Sequence, residues 1–242
     1  MGLPAWDLPE EIKRRFGQSP GKQRAMVKDG HLLLVLHQLP DPDRERKAIF
    51  FWRQPEGKWL CSEWGEGLSK LRKHVREYDE AADKLRDEYE KADEAEDYFR
   101  ILERIAPLRH SAGNLHATLQ SAREAIHDDR DIIDLRDWAY EVERSLVLLY
   151  EDTKNALDFS IARKSEEQAR LSTQSVQTAH RLNILAAIFF PLTALSSVFG
   201  MNMRSGFEDA APWVFWVIFV VGVMLGFAIR SWVLQGTGDR KK

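Results

Sequence analysis

The sequence predicts a mainly α-helical membrane protein with a small α/β region at its N-terminal end, and three observations predict it. Two runs near the C-terminal end carry no formal charge, 22 residues from Leu182 to Met203 and 20 from Ala210 to Ile229. Each is long enough, at about 1.5 Å per residue, to cross a hydrocarbon core of roughly 30 Å. Ahead of them, no proline or glycine interrupts the chain from Asp131 to Phe190, which allows one helix of about 100 Å spanning residues 131–199. Before residue 65, apolar residues come instead in short runs separated by turn dipeptides, as strands do.

The average composition conceals this division. Of 242 residues 30% are charged, and the mean hydropathy is −0.42, values ordinary for a water-soluble chain. The part outside the two runs is therefore more polar still. The net charge of −3 selects no partner class. Cys61 is the only cysteine, which excludes an intrachain disulfide and every cysteine-rich zinc motif. No nucleophile, phosphate loop or paired-carboxylate motif supports an enzyme, so no catalytic residue, no cofactor and no nucleic-acid partner are expected.

Taken in order, residues 9–16 form a short helical pattern ended by Gly17. Four short runs follow, Arg24 to Lys28, His31 to Leu39, Ala48 to Arg53 and Lys58 to Trp64, divided by Asp29-Gly30, by residues 40–43 and by residues 54–57. They predict an antiparallel sheet, with Asp-Gly as the firmest hairpin signal because both central residues of such a turn need positive φ. From Gly65 the period changes to three and four through Leu68, Leu71, Val75, Tyr78, Ala82, Leu85 and Tyr89. Pro107 is expected to break this helical stretch, with a second helix from Leu108 to about His127. Residues 128–131 supply a turn and the acidic first turn of the long helix. Leu135, Trp138, Val142, Leu149 and Ala156 form its apolar stripe.

The expected organisation is an α/β region over residues 1–64, a helical region over 65–181, transmembrane helices over 182–203 and 210–234 joined by a loop at 204–209, and a basic tail at 235–242. Arg163, Lys164, Arg170 and Arg181 precede the first span, and Arg230, Arg240, Lys241 and Lys242 follow the second. The loop carries only Arg204 beside Glu208 and Asp209, so both ends of the chain are expected to be cytoplasmic. The first residues, with no basic and apolar segments in succession, do not resemble a secretory signal.

Within the first span, Pro191 cannot donate a hydrogen bond and frees the carbonyl of Ala187. Asn183, Ala186, Phe190, Thr193 and Ser197 recur at spacings of three and four, which places the mid-span polarity on one helical face. The bland alternative is that Thr193 and Ser197 bond back to their own helix. Asn202, an amide beyond Gly200 near the membrane edge, suits a water-filled mouth better than a lipid-facing surface.

The residues Phe199-Gly200-Met201-Asn202, with Pro191-Leu192-Thr193 upstream, resemble the Gly-Met-Asn signature of the CorA-type divalent cation transporters. The order of a small α/β region, a long helix and two C-terminal spans extends the resemblance over most of the chain. It implies a funnel-shaped homopentamer whose first spans line a pore. Asn202 would ring the outer mouth, Gly200 and Met201 would shape it, Thr193 would line the pore deeper, and Leu182 and Phe190 would form apolar constrictions. It also implies that a divalent cation, Mg²⁺ first and Co²⁺ or Ni²⁺ next, is the transported ion, in the inner (plasma) membrane of a bacterium. The alternatives are a Zn²⁺ transporter of the same family coupled to protons, or a non-conducting membrane-anchored scaffold. Phe190 stands where many members have methionine, and Arg204 enters a loop that lacks the Met-Pro-Glu-Leu stretch common in the family. Glu141, Asp137 and Asp79 are candidates for regulatory cation sites by charge alone, against a solvated-surface role.

Overall fold

A computed structural model describes residues 4–16, 21–41, 47–63, 66–200 and 211–238, with backbone only for 195, 198–200, 218, 225, 229, 230 and 232–238. The element order is α1 (Glu10–Lys13), β1 (Arg24–Lys28), β2 (His31–His37), β3 (Ala48–Arg53), β4 (Trp59–Cys61), α2 (Gly67–Lys91), α3 (Ala95–Ala125), α4 (Arg130–Gly200) and α5 (Trp213–Gly238). The chain divides into two compact units, Met1–Arg163 and Lys164–Lys242.

In the first unit the strands form an antiparallel meander in the order β1-β2-β3-β4. Met26 pairs with Leu33, Leu34 with Phe51, and Trp52 with Leu60. Asp29 and Gly30 both have positive φ, 49° and 77°, the geometry a two-residue hairpin demands. Because β2 is apolar at every position from Leu32 to Leu36, both of its faces must be covered. Leu32, Leu34, Leu36 and Phe51 pack with Leu71, Val75, Ile105 and Leu146 of the helices. Leu33, Val35, Phe50 and Trp52 pack on the other side with Leu8 and Ile12, against Trp6 and Phe16. Where α2 leaves the sheet, a Cβ on Gly67 would stand 2.5 Å from the backbone of Trp59 and Leu60, so only glycine fits this approach.

Pro107 does not divide the helices. It lies inside α3, and the break falls instead at Ala92-Asp93-Glu94. The Glu94 N–H donates to Asp97 Oδ2 at 3.4 Å, and the Tyr98 hydroxyl donates to the Ala92 carbonyl at 2.9 Å, satisfying groups that the two helix ends would orphan. Burial of Ile101, Ile105, Leu108, Ala112 and Leu115 against the common core holds α3 through its proline, which outweighs the roughly 3 kcal/mol that an interior proline costs. In α4, Ile132, Leu135, Ala139, Val142, Leu146 and Leu149 are buried at spacings of three and four, so the long helix docks by one stripe.

A buried polar chain ties the sheet to α2 and α3. Gln23 Nε2 donates to the Ser111 carbonyl (3.0 Å) and Oγ (3.3 Å), Ser111 Oγ lies 2.8 Å from the Tyr78 hydroxyl, and that hydroxyl donates to the His37 carbonyl at 2.9 Å. Burial pushes the Tyr78 phenol up to about 12, so it stays a donor. His74 packs between Phe51 and Tyr78; burial, then the neighbouring His37, lowers it from 6.5 to about 4. The unfolded chain therefore binds a proton at His74 between pH 6.5 and 4 that the folded chain does not. Stability is full above pH 6.5 and declines toward pH 4, by a contribution on the order of 3 kcal/mol. Denaturation of full-length protein across this range should show that loss, and His74→Leu should remove most of it; an unchanged pH slope in the variant would refute the assignment.

Candidate functional site

The site is built on the C-terminal third of α4 and on α5, both within the second unit. At about 100° per residue, Ile188 and Phe190 lie roughly 200° apart around the helix. Ile184, Ala187, Ile188, Pro191 and Leu192 are half-buried. Gly226 of α5 meets this side so closely that a Cβ on it would lie 3.5 Å from Ile188 Cα and from the Ile188 carbonyl, and 3.9 Å from that of Ala187. Gly222 and Gly226, four residues apart on α5, are both buried, and small residues at that spacing let helix backbones approach. The carbonyl that Pro191 frees thus faces the helix–helix seam.

The opposite side of α4 carries the residues singled out by spacing. Leu182 (60% exposed), Asn183, Phe190 (72% exposed), Thr193 and Ser197 are exposed, and Ala186 is half-buried among them. Thr193 Oγ donates to the Phe189 carbonyl at 2.8 Å, so the bland back-bonding reading holds for this hydroxyl. Its oxygen keeps free lone pairs on the exposed face, so it acts there as an acceptor. Gly200 ends the described part of α4. Met201, Asn202, Arg204, Glu208 and Asp209 lie outside the described residues.

On α5, Trp213, Phe215, Trp216, Phe219, Val220, Val221, Met224 and Phe227 are exposed, with Phe215, Trp216 and Phe219 in mutual ring contact. Among the described residues, no helix is long and apolar enough to cross a membrane. Both uncharged runs of the sequence include positions outside that description, 201–203 and 210 entirely and the side chains of 195, 198–200, 218, 225 and 229.

The three acidic candidates have separate surroundings. Asp79 Oδ2 accepts a hydrogen bond from Trp138 Nε1 at 2.9 Å, Asp137 pairs with Arg136 at 3.1 Å, and Glu141 is exposed. Among the described residues no group of three His, Cys, Asp or Glu side chains could hold a metal ion. Sequence spacing missed the Gly222/Gly226 pair, although two glycines four apart in an apolar run are a legible signal. It also missed the His116–Glu143 contact at 2.6 Å, which joins α3 to α4 across 27 residues.

The seam predicts a size limit at Gly226. Gly226→Ala should stay within about 1 kcal/mol of the parent, since its methyl meets ordinary contact distances. Gly226→Leu should cost about 1–3 kcal/mol by overpacking. Thermal unfolding in detergent measures both, and equal stability of the two variants would disprove the close seam.

A profile of the family described as CorA-like Mg²⁺ transporter protein matches residues 11–235. No curated protein matches the chain in sequence. Among solved structures, the full-length CmaX protein is similar at 15% identity, over 93% of this chain and 79% of that one, with a TM-score of 0.52. The complete CorA magnesium transporter from Methanocaldococcus jannaschii is matched at 14% identity, over 88% and 78% of the two chains, with a TM-score of 0.48. The likeness to CmaX extends to fold.

Proposed function

The chain belongs to the CorA-like Mg²⁺ transporter family, and on that premise we propose that it assembles as a homopentamer conducting divalent cations, Mg²⁺ foremost. Residues 182–203 of each protomer are the pore helix, residues 210–234 are the outer span, and both ends of the chain are cytoplasmic. The observation that carries this reading is the opposition of faces on α4: the side bearing Leu182, Asn183, Phe190, Thr193 and Ser197 is exposed, while the reverse side packs toward α5. The exposed aromatic and aliphatic surface of α5 suits lipid, with Trp213 and Trp216 suited to an interface.

The chemistry of the lining matches a hydrated ion. Mg²⁺ loses its waters reluctantly, and bound waters point their hydrogens outward. A lining for that shell must accept hydrogen bonds. Thr193, whose proton is committed to Phe189, does so, and the side-chain oxygen of Asn202 supplies a ring of acceptors at the mouth. Leu182 and Phe190 form apolar rings that gate by dewetting. Neither uncharged run contains Asp or Glu, so selection does not depend on an intramembrane carboxylate.

The test is influx into liposomes that hold purified protein and a Mg²⁺-sensitive dye. Saturable Mg²⁺ influx is expected, together with a pentameric mass in detergent. Folded protein that passes no divalent ion would support the scaffold, a reading that the bulk of Phe190 at the constriction favours. Zn²⁺ influx that follows an imposed pH gradient would move the assignment to proton-coupled Zn²⁺ transport.

A further inference from the structure

In the first unit, the ends of β1, β2 and β3 meet α2 and α3 around a cleft of about 990 Å³, at the upper end of the range for small-molecule sites. Its apolar wall comes from Ala81, Leu85, Pro107 and Leu108. Gln23 and Ser111 of the polar chain described above also line it, so that part is fixed by hydrogen bonds, to each other and to Tyr78 behind them.

The rim is basic. Lys22, Lys47 and Lys84 are exposed on it, and none has an ion pair among the described residues. They come from three elements, since Lys22 precedes β1, Lys47 precedes β3, and Lys84 sits on α2. Arg104 on the same rim is already paired with Glu88, and Asp41 is engaged in an interaction of its own. Among the described lining residues Glu103 is the remaining carboxylate, so three lysines there face one acid. Pro107 adds a second kind of group, because its missing N–H leaves the Glu103 carbonyl without its helical donor beside the apolar wall.

We propose that this cleft binds an organic polyphosphate of nucleotide size, with the phosphates on Lys22, Lys47 and Lys84 and the ring body on the apolar wall. Ammonium groups brought to one cleft from three separate elements suit a ligand that carries several phosphate oxygens. The wall demands a flat apolar portion, which inorganic pyrophosphate lacks. This assignment is independent of ion conduction.

Isothermal titration of the full-length protein in detergent with ATP, in EDTA to keep divalent cations away, tests it. Saturable binding is expected, weakened about tenfold or more in Lys47→Ala/Lys84→Ala, whose exposed side chains can be removed without disturbing the core. Adenosine and pyrophosphate should each bind at least about tenfold more weakly than ATP, since each offers half of the contacts. The proposal is overturned by an absence of saturable ATP binding, by binding unchanged in the double variant, or by pyrophosphate binding as tightly as ATP.

Discussion

Replacing Asp129 with alanine is expected to destabilise the first unit by about 2–4 kcal/mol. One carboxylate performs two tasks. Its Oδ1 accepts the N–H groups of Asp131 (3.0 Å) and Ile132 (3.2 Å), capping α4. Its Oδ2 accepts from Arg53 Nε at 2.5 Å, across 76 residues, with side chains only 14% and 10% exposed for Arg53 and Asp129. Loss of the cap alone costs about 1 kcal/mol; the remainder, about 1.5–3 kcal/mol, is the charge-assisted hydrogen bond that the largely covered Arg53 guanidinium loses, leaving it the Gln54 carbonyl. Asp129→Asn keeps an acceptor for the cap and should cost less. Denaturant unfolding of the full-length protein followed by tryptophan fluorescence measures both, and a loss below about 1 kcal/mol for the alanine variant would show the pair to be incidental.

In the flux assay, Asn202→Ala is expected to change Mg²⁺ influx by about tenfold, the equivalent of a hydrogen bond worth roughly 1.4 kcal/mol to the ion's hydration shell. Thr193→Val removes an acceptor but keeps the shape, so it should lower influx, whereas Thr193→Ser should restore it. Phe190→Ala widens the apolar constriction and should raise influx and weaken discrimination among divalent ions. If Asn202→Ala leaves both rate and selectivity unchanged while wild type conducts, selection does not reside at the mouth.

Much of the fold was legible because it rests on local chemistry. The Asp29-Gly30 hairpin, the four strand positions and the start of α4 near residue 130 all follow from backbone preference and from period. The error at Pro107 has the same origin read too literally. A proline does break a helix in isolation, but α3 buries apolar residues on both sides of it, and tertiary packing exceeds the local penalty. The actual break at Ala92–Glu94 has neither glycine nor proline and is closed by Asp97 and Tyr98, side chains whose role depends on where the next helix begins.

For the candidate site, spacing alone puts Asn183, Ala186, Phe190, Thr193 and Ser197 on one face of a helix, because the period of an α-helix permits nothing else. Which face turns toward α5 is a matter of packing. Helix packing depends on the partner's surface, and Gly226 of α5 admits the backbone at Ile188 where a larger side chain would hold it away. The same division separates Asp129 the helix cap, readable from its neighbours in the chain, from Asp129 the partner of Arg53, which exists only after residues 76 positions apart have been folded together. Local periodicity is encoded within a few turns, whereas burial and long-range charge pairing are properties of the assembled core.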